Sequence, residues 1–225
     1  MPTYALIPVK ELQKAKSRLS PILRQKERKV FCLKMLEDIA KTVRQAKSIE
    51  KTFIVSKDEE ALSLSLKLQA YPFKETSSGL NQALSEAIQH CIMQGATSIL
   101  ILPADIPLAK PDDINRISLL KKKSSVVISP SRNENGTNAL LLKPPSVLPM
   151  FYGKNSFQLF IKEAQKRRLD VHVHRSKGFE LDVDTIDDLA ELLAAKEKSS
   201  QAYLFLEEIN VWKRLENFGL KSYLA

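Results

Sequence analysis

An α/β fold with a mostly parallel central sheet and helices on both faces is predicted by three features of the sequence. Apolar runs of strand length alternate with segments of helical spacing through the first 120 residues. One of those runs, Ser98 to Pro103, is almost continuously apolar, as in a strand covered on both faces. A chain of 225 residues that is 44% hydrophobic also has ample material for one large core. Taken in order, Tyr4 to Val9 reads as a first buried strand. Val30, Leu33, Met35, Leu36, Ile39, Ala40 and Val43 give Glu27 to Ala46 a helical face. Thr52 to Ser56 predicts a strand, Asp58 to Leu68 a helix, Ala70 to Phe73 a short strand, and Leu80 to Met93 a helix stopped by Gly95. Further strands are expected at Ser125 to Ser129, Asn138 to Leu142, Val171 to His174 and Glu180 to Val183, with helices at Ser156 to Arg168 and Thr185 to Lys196. The division is a domain over residues 1–196 and a helical tail over 197–225, whose Tyr203, Leu204, Leu206, Ile209, Trp212 and Leu215 recur at helical spacing. That tail is expected to dock on its own domain or on a second copy, so a homodimer is the expected assembly.

Composition narrows the function class. The chain is 27% charged, its apolar runs are strand-sized and no signal segment leads it, so neither a membrane span nor secretion is expected. Cys32 and Cys91 each fall in a helical pattern with no second cysteine nearby and read as buried thiols in a reducing, cytoplasmic compartment. Lys and Arg (35) outnumber Asp and Glu (26), and residues 1–51 hold 13 basic against 5 acidic side chains. A basic quarter calls for an anionic partner. With aromatics at 7% and only Tyr4 and Phe31 among the basic residues of that quarter, a nucleic-acid-binding module lacks a stacking platform.

Four segments sit where strands end. P-V-K-E-L-Q-K-A-K-S-R-L-S, from Pro8 to Ser20, places Lys10, Lys14, Lys16 and Arg18 after the first strand. Without glycine it cannot be a backbone phosphate loop, so side chains must hold any phosphate. L-P-A-D-I-P-L, Leu102 to Leu108, brackets Asp105 with two prolines. E-L-D-V-D-T, Glu180 to Thr185, puts Asp182 and Asp184 two apart, on one face if extended. Two solvated turn carboxylates or a helix cap would explain that pair alone; together with Asp105, hard oxygen ligands for magnesium or manganese explain it better. S-R-N-E-N-G-T-N-A-L-L-L, Ser131 to Leu142, crowds Arg132, Thr137 and Asn138 around a glycine turn, and Gly153 and Ser156 precede a helix whose amides attract anions. His90, His172 and His174 fit no triad or metal spacing, so a nucleophilic mechanism is not expected.

In order along the chain, P-V-K-x-L-x-x-A-K-S-R-L-S, S-G-L-N-x-A-L (Ser78 to Leu84), L-P-A-D-I-P-L, S-R-x-x-N-G-T-N-A-L, G-x-x-S-F (Gly153 to Phe157) and L-D-V-D-T-x-x-D-L closely resemble the 2-phospho-L-lactate guanylyltransferase family. The resemblance runs from about Tyr4 to about Leu193. It implies a Rossmann-like nucleotidyltransferase fold and transfer of GMP from GTP to a small phosphorylated acid in deazaflavin coenzyme F(420) biosynthesis. By the same resemblance Asp105, Asp182 and Asp184 would hold Mg2+, and Lys16 and Arg18 would assist catalysis. Lys10, Lys16, Arg18, Ser78, Gly79, Asn81, Pro103 and Ala104 would bind the nucleotide. Thr137, Gly153, Ser156, Asn138 and Arg132 would bind the acid. The motifs do not distinguish 2-phospholactate from phosphoenolpyruvate or 3-phosphoglycerate.

Overall fold

Strand and helix alternation produces one mixed sheet in the computed structural model, which describes residues 2–120 and 125–219. The strands are β1 (Thr3–Val9), β2 (Lys51–Ser56), β3 (Tyr71–Lys74), β4 (Ser98–Ile101), β5 (Ser125–Pro130), β6 (Thr137–Lys143) and β7 (Asp170–Val173), in the order β3-β2-β1-β4-β6-β5-β7. Neighbours are parallel except where β6 runs against β4 and β5. That reversal brings the start of β6, Thr137 and Asn138, to the edge at which the other strands end.

The helices are α1 (Gln25–Gln45), α2 (Glu59–Lys67), α3 (Leu80–Met93), α4 (Pro111–Leu119), α5 (Ser156–Lys166), a single turn α6 (Lys177–Glu180), α7 (Ile186–Ala194), α8 (Gln201–Glu208) and α9 (Val211–Asn217). The period of two along each strand sorts the core into two layers. Ala5, Ile7, Val9, Leu100 and Leu141 pack with α1, α4 and α7, whereas Tyr4, Leu6, Ile99, Ile101 and Leu140 pack with α3 and α5. Both cysteines are buried free thiols, as expected.

Two expectations are corrected. Glu180 to Val183 is not a strand: Glu180 ends α6, and the chain beyond it pairs with no strand of the sheet among the described residues but runs beside the loop after β4, where the Val183 amide donates to the Asp105 carbonyl at 3.0 Å. The tail is not one helix but two, broken where Asn210 takes a left-handed conformation at φ 54°. Residues 220–225 of the expected tail lie outside the described residues.

The tail packs on its own domain. Ala202, Tyr203, Leu206, Val211 and Leu215 join the core layer that contains α1, each large side chain worth about 1.5–3 kcal/mol when fully buried. Asp38, buried in α1, accepts from Ser200 Oγ (2.7 Å) and from the amides of Gln201 (2.6 Å) and Ala202 (2.9 Å), so a residue far back in the chain satisfies the start of α8. Arg214 of α9 clasps Glu27 of α1 with two bonds of 2.7 and 2.8 Å. The guanidinium holds the Glu27 carboxyl below its ordinary pKa, so this pair stabilises the folded chain above the ordinary carboxylate range and ceases to do so as pH falls through the lowered value. Arg214→Met is expected to cost about 1 kcal/mol at neutral pH, the upper end of the range for ion pairs that keep contact with solvent, because this one is partly buried. In urea titrations at pH 7 and pH 3 the gap between parent and variant should shrink at the lower pH; a gap independent of pH would assign the loss to packing.

Candidate active site

The carboxyl edge of β1 and β4 and the amino edge of β6 meet over a cavity of about 540 Å³, well within the range of small-molecule sites. Past β1 the chain turns through two short 3-10 turns, Leu12–Lys14 and Ser17–Leu19. Asp58 pins the first of them: one carboxylate oxygen caps α2, and the other accepts from the Leu12 amide at 3.1 Å. Between the turns Lys16 adopts φ 53°, a left-handed conformation uncommon for a side chain of this size. This swings its ammonium inward, with the side chain only 8% exposed.

Lys16 Nζ donates to Asp105 Oδ2 at 2.7 Å and to Asp184 Oδ1 at 2.6 Å. Burial alone would lower the lysine pKa, but the two carboxylates more than offset it and hold the pKa above the usual value. Burial likewise acts to raise Asp184, yet the attraction of Lys16 leaves its carboxyl below the ordinary range. Asp182 moves the other way. Burial first, then the like charges of Asp105 and Asp184, push its pKa up against the Asn138 amide, which donates to Asp182 Oδ1 at 3.1 Å. Asn138 also donates to the Phe179 carbonyl at 2.7 Å, fixing the turn from which the Asp182 segment leaves.

Asp184 is not the helix cap. Thr185 caps α7 and Asp188 returns the bonds to the amides of Thr185 (2.7 Å) and Asp184 (3.1 Å), so the Asp184 side chain is released toward Lys16. On the opposite wall Thr137 Oγ1 and Ser156 Oγ lie 3.0 Å apart and buried, at the start of β6 and of α5. Gly153 reaches φ 138°, open to glycine and rarely to other residues, in the loop that delivers Ser156.

Asp105, Asp182, Asp184, Lys10, Lys16, Pro103, Ala104, Thr137, Asn138, Gly153 and Ser156 thus line one cavity. Other candidates lie elsewhere. Arg132 is exposed and forked onto Glu191 of α7, with Nη1 2.6 Å from the carboxylate. Arg18 is exposed outside the lining and acts on Asp184 only through its field. Ser78 and Gly79 are exposed ahead of α3. Asn81 spends both ends of its amide on the Tyr152 backbone, accepting from its N–H at 2.7 Å and donating to its carbonyl at 3.0 Å. None of the three histidines lines the cavity. Cys32 does, but burial pushes its thiol up to about 11, so it is no nucleophile at neutral pH.

The donor set suits a hard divalent cation, because three carboxylates share one cleft. Lys16 already supplies one positive charge, and among the described residues no three His, Cys, Asp or Glu side chains are gathered at metal-binding spacing. A cation would therefore share Asp105 and Asp184 with Lys16.

The cleft's contents agree with the chain's relationships. The model of the CofC-like guanylyl transferase family matches residues 3–217. The chain belongs to this family. Within the CofC-like group it is 36% identical over 196 residues to a phosphoenolpyruvate guanylyltransferase of Rubrobacter xylanophilus, covering 87% of this chain and 95% of the relative. It is 34% identical over 211 residues to a 2-phospho-L-lactate guanylyltransferase of Methanobrevibacter smithii, covering 92% of each. The fold is also that of a Desulfovibrio desulfuricans protein described as a nucleotide-diphospho-sugar transferase, with a TM-score of 0.79 at 18% identity over 95% of this chain and 99% of the other. The CofC-like match runs through α8 and α9, so the tail belongs to the family's common chain. Sequence reasoning passed over the lining residues Leu12, Met35, Leu80 and Tyr152, which look like any core positions of an amphipathic segment.

Proposed function

We propose that this chain transfers GMP from GTP to 2-phospho-L-lactate and releases pyrophosphate, in the biosynthesis of deazaflavin coenzyme F(420). One observation carries the reading: a single cavity combines Lys10 and Lys16, the three carboxylates and the buried Thr137–Ser156 hydroxyl pair. An oxygen of the acid's phosphate forms a bond to the α-phosphorus as the bond from that phosphorus to the β-phosphate oxygen breaks. The attacking phosphate is already ionised near neutral pH, so no histidine base is required. What remains is to hold two anions together, and positioning with electrostatic stabilisation supplies that. Lys10, Lys16 and the field of Arg18 face the nucleotide phosphates; Thr137, Ser156 and the Gly153 backbone face the acid. Magnesium held by Asp105, Asp182 and Asp184 would neutralise phosphate charge and stabilise the departing pyrophosphate. A cytoplasmic location and a homodimer complete the proposal; no helix among the described residues is long and apolar enough to cross a membrane. Leu204, Trp212 and Phe218 on the tail are exposed apolar side chains that a second copy could cover, and sedimentation measures whether one does.

Phosphoenolpyruvate is the second reading, favoured by the 36% identity to the Rubrobacter enzyme. Pyrophosphate release from GTP and magnesium with 2-phospho-L-lactate, phosphoenolpyruvate or 3-phosphoglycerate, with ATP and CTP as controls, tests both. Release with GTP and one acid names the substrate; no release with any pair rejects the proposal, and retention on mixed-sequence RNA would then point to nucleic acid.

Asn81 enters as a positioning residue. Without its clamp on Tyr152 the loop carrying Gly153 and Ser156 loosens, so Asn81→Ala is expected to raise KM for the acid about tenfold, the order of one lost pair of hydrogen bonds. KM for GTP should stay within twofold; an equal rise in both would return Asn81 to the nucleotide.

A further inference from the structure

Beside the main cavity lies an annex of about 310 Å³ that shares Val9, Lys10, Ala15 and Leu80 with it. The annex belongs to the parallel half of the sheet: Val9 ends β1, Lys57 follows β2 and Glu75 follows β3. The Glu75 amide bonds to the Ser56 carbonyl at 2.9 Å, which extends the β2–β3 ladder by one step and fixes where the Glu75 side chain starts. Apolar Val9, Ala15 and Leu80 line the annex together with the charged side chains Lys10, Glu11, Lys14, Lys57 and Glu75.

Glu75 is out of place as a merely solvated charge. It is half-buried, burial raises its carboxyl above the ordinary value, and among the described residues it has no hydrogen bond or ion pair to a side chain. In the loop that leads from it to α3, the Ser77 hydroxyl is also buried without a partner. A half-buried carboxylate with no side-chain hydrogen bond, beside the apolar Val9, Ala15 and Leu80, is matched by a planar ligand that brings its own N–H donors.

Guanine is such a ligand, since its N1–H and 2-amino group form two parallel donors spaced for one carboxylate. Adenine presents a lone pair at N1 and no 2-amino group, so the same carboxylate repels it. The annex opens onto Lys10 and the phosphate side of the main cavity, the arrangement a nucleoside triphosphate requires. We infer that the annex takes the base of GTP and that Glu75 reads its N1–H and 2-amino edge, with Lys57 on the same wall facing the carbonyl side. The inference rests on the guanylyltransferase reading and assigns base selection to a residue outside every motif quoted above. Ser78 and Gly79 are exposed and absent from the annex lining, and Asn81 is engaged with Tyr152.

Inosine triphosphate separates this from a structural role, because it keeps the carbonyl and N1–H of guanine and lacks the 2-amino group. The parent enzyme should favour GTP over ITP by about tenfold or more in kcat/KM, the order of one charge-assisted bond. In Glu75→Ala that ratio should fall to about one as GTP loses both bonds, while use of ATP rises relative to GTP. Glu75→Gln, which keeps the side chain's shape, should move the ratio in the same direction. Lys57→Met should weaken GTP and ITP equally. Calorimetric binding of GTP, ITP and ATP without any acid gives the same ratios. Thus lack of turnover with every acid rejects the proposed reaction, and the binding ratios still decide the base site. A GTP to ITP ratio unchanged in both Glu75 variants, or absent in the parent, overturns the inference.

Discussion

Asp182→Asn is expected to lower GTP-dependent pyrophosphate release by about a thousandfold, at the upper end of what one electrostatic contributor in an active site is worth. The fold should not suffer. Burial and the neighbouring carboxylates disfavour the charge of Asp182 in the folded chain, so removing it leaves the thermal midpoint equal or higher. The amide oxygen of the variant can still accept from Asn138. Activity lost with stability kept assigns Asp182 to the chemistry. Near-normal turnover would sink the metal assignment, and a midpoint that falls with the activity would make the residue structural.

Lys16→Met separates the two readings of the paired carboxylates. Its ammonium is the cation between Asp105 and Asp184, and without it two like charges face each other beside a third. A fully buried pair broken in this way costs about 3–5 kcal/mol. Here the carboxylates are 27% and 49% exposed, so about 1–3 kcal/mol is expected after screening. If Lys16 faces the nucleotide phosphates as proposed, turnover should fall about a hundredfold or more with its loss. Magnesium should raise the thermal midpoint of this variant by more than that of the parent, because the ion then enters a site with no competing ammonium. Equal shifts in the two proteins would mean that the metal and Lys16 do not share ligands.

Most of the sheet and much of the cleft were legible because they are local. A strand's period of two, a proline-bracketed aspartate after an apolar run, and a glycine turn leading into Thr137 and Asn138 can each be read within about ten residues. The order of the strands then converts those strand ends into one edge. What could not be read depends on partners far away in sequence. Nothing around Arg132 announces Glu191, and nothing around Asn81 announces the Tyr152 backbone that consumes its amide. Lys16 stood in a run of alternating cations, and only a left-handed backbone at that one position separates it from its exposed neighbours Lys14 and Arg18. The L-D-V-D alternation had the period of a strand, but the segment lies beside the loop after β4 and not along a sheet edge, and its Val183 amide bonds to the Asp105 carbonyl.

The bond between Lys16 and Asp184 joins residues 168 positions apart, and Asp105 lies 89 positions from the same ammonium. Closing loops of that length precedes any reward from the contacts they make, so such pairings form late in folding. A chain emerging from the ribosome carries its basic segment first and the Asp182–Asp184 segment only after most of the sheet has been made. Until that segment is made, the half-built protein has its basic side chains but lacks two of the three carboxylates that share their cleft. The assembled cleft is in this sense a readout of finished folding, complete only when the last quarter of the chain closes onto the first.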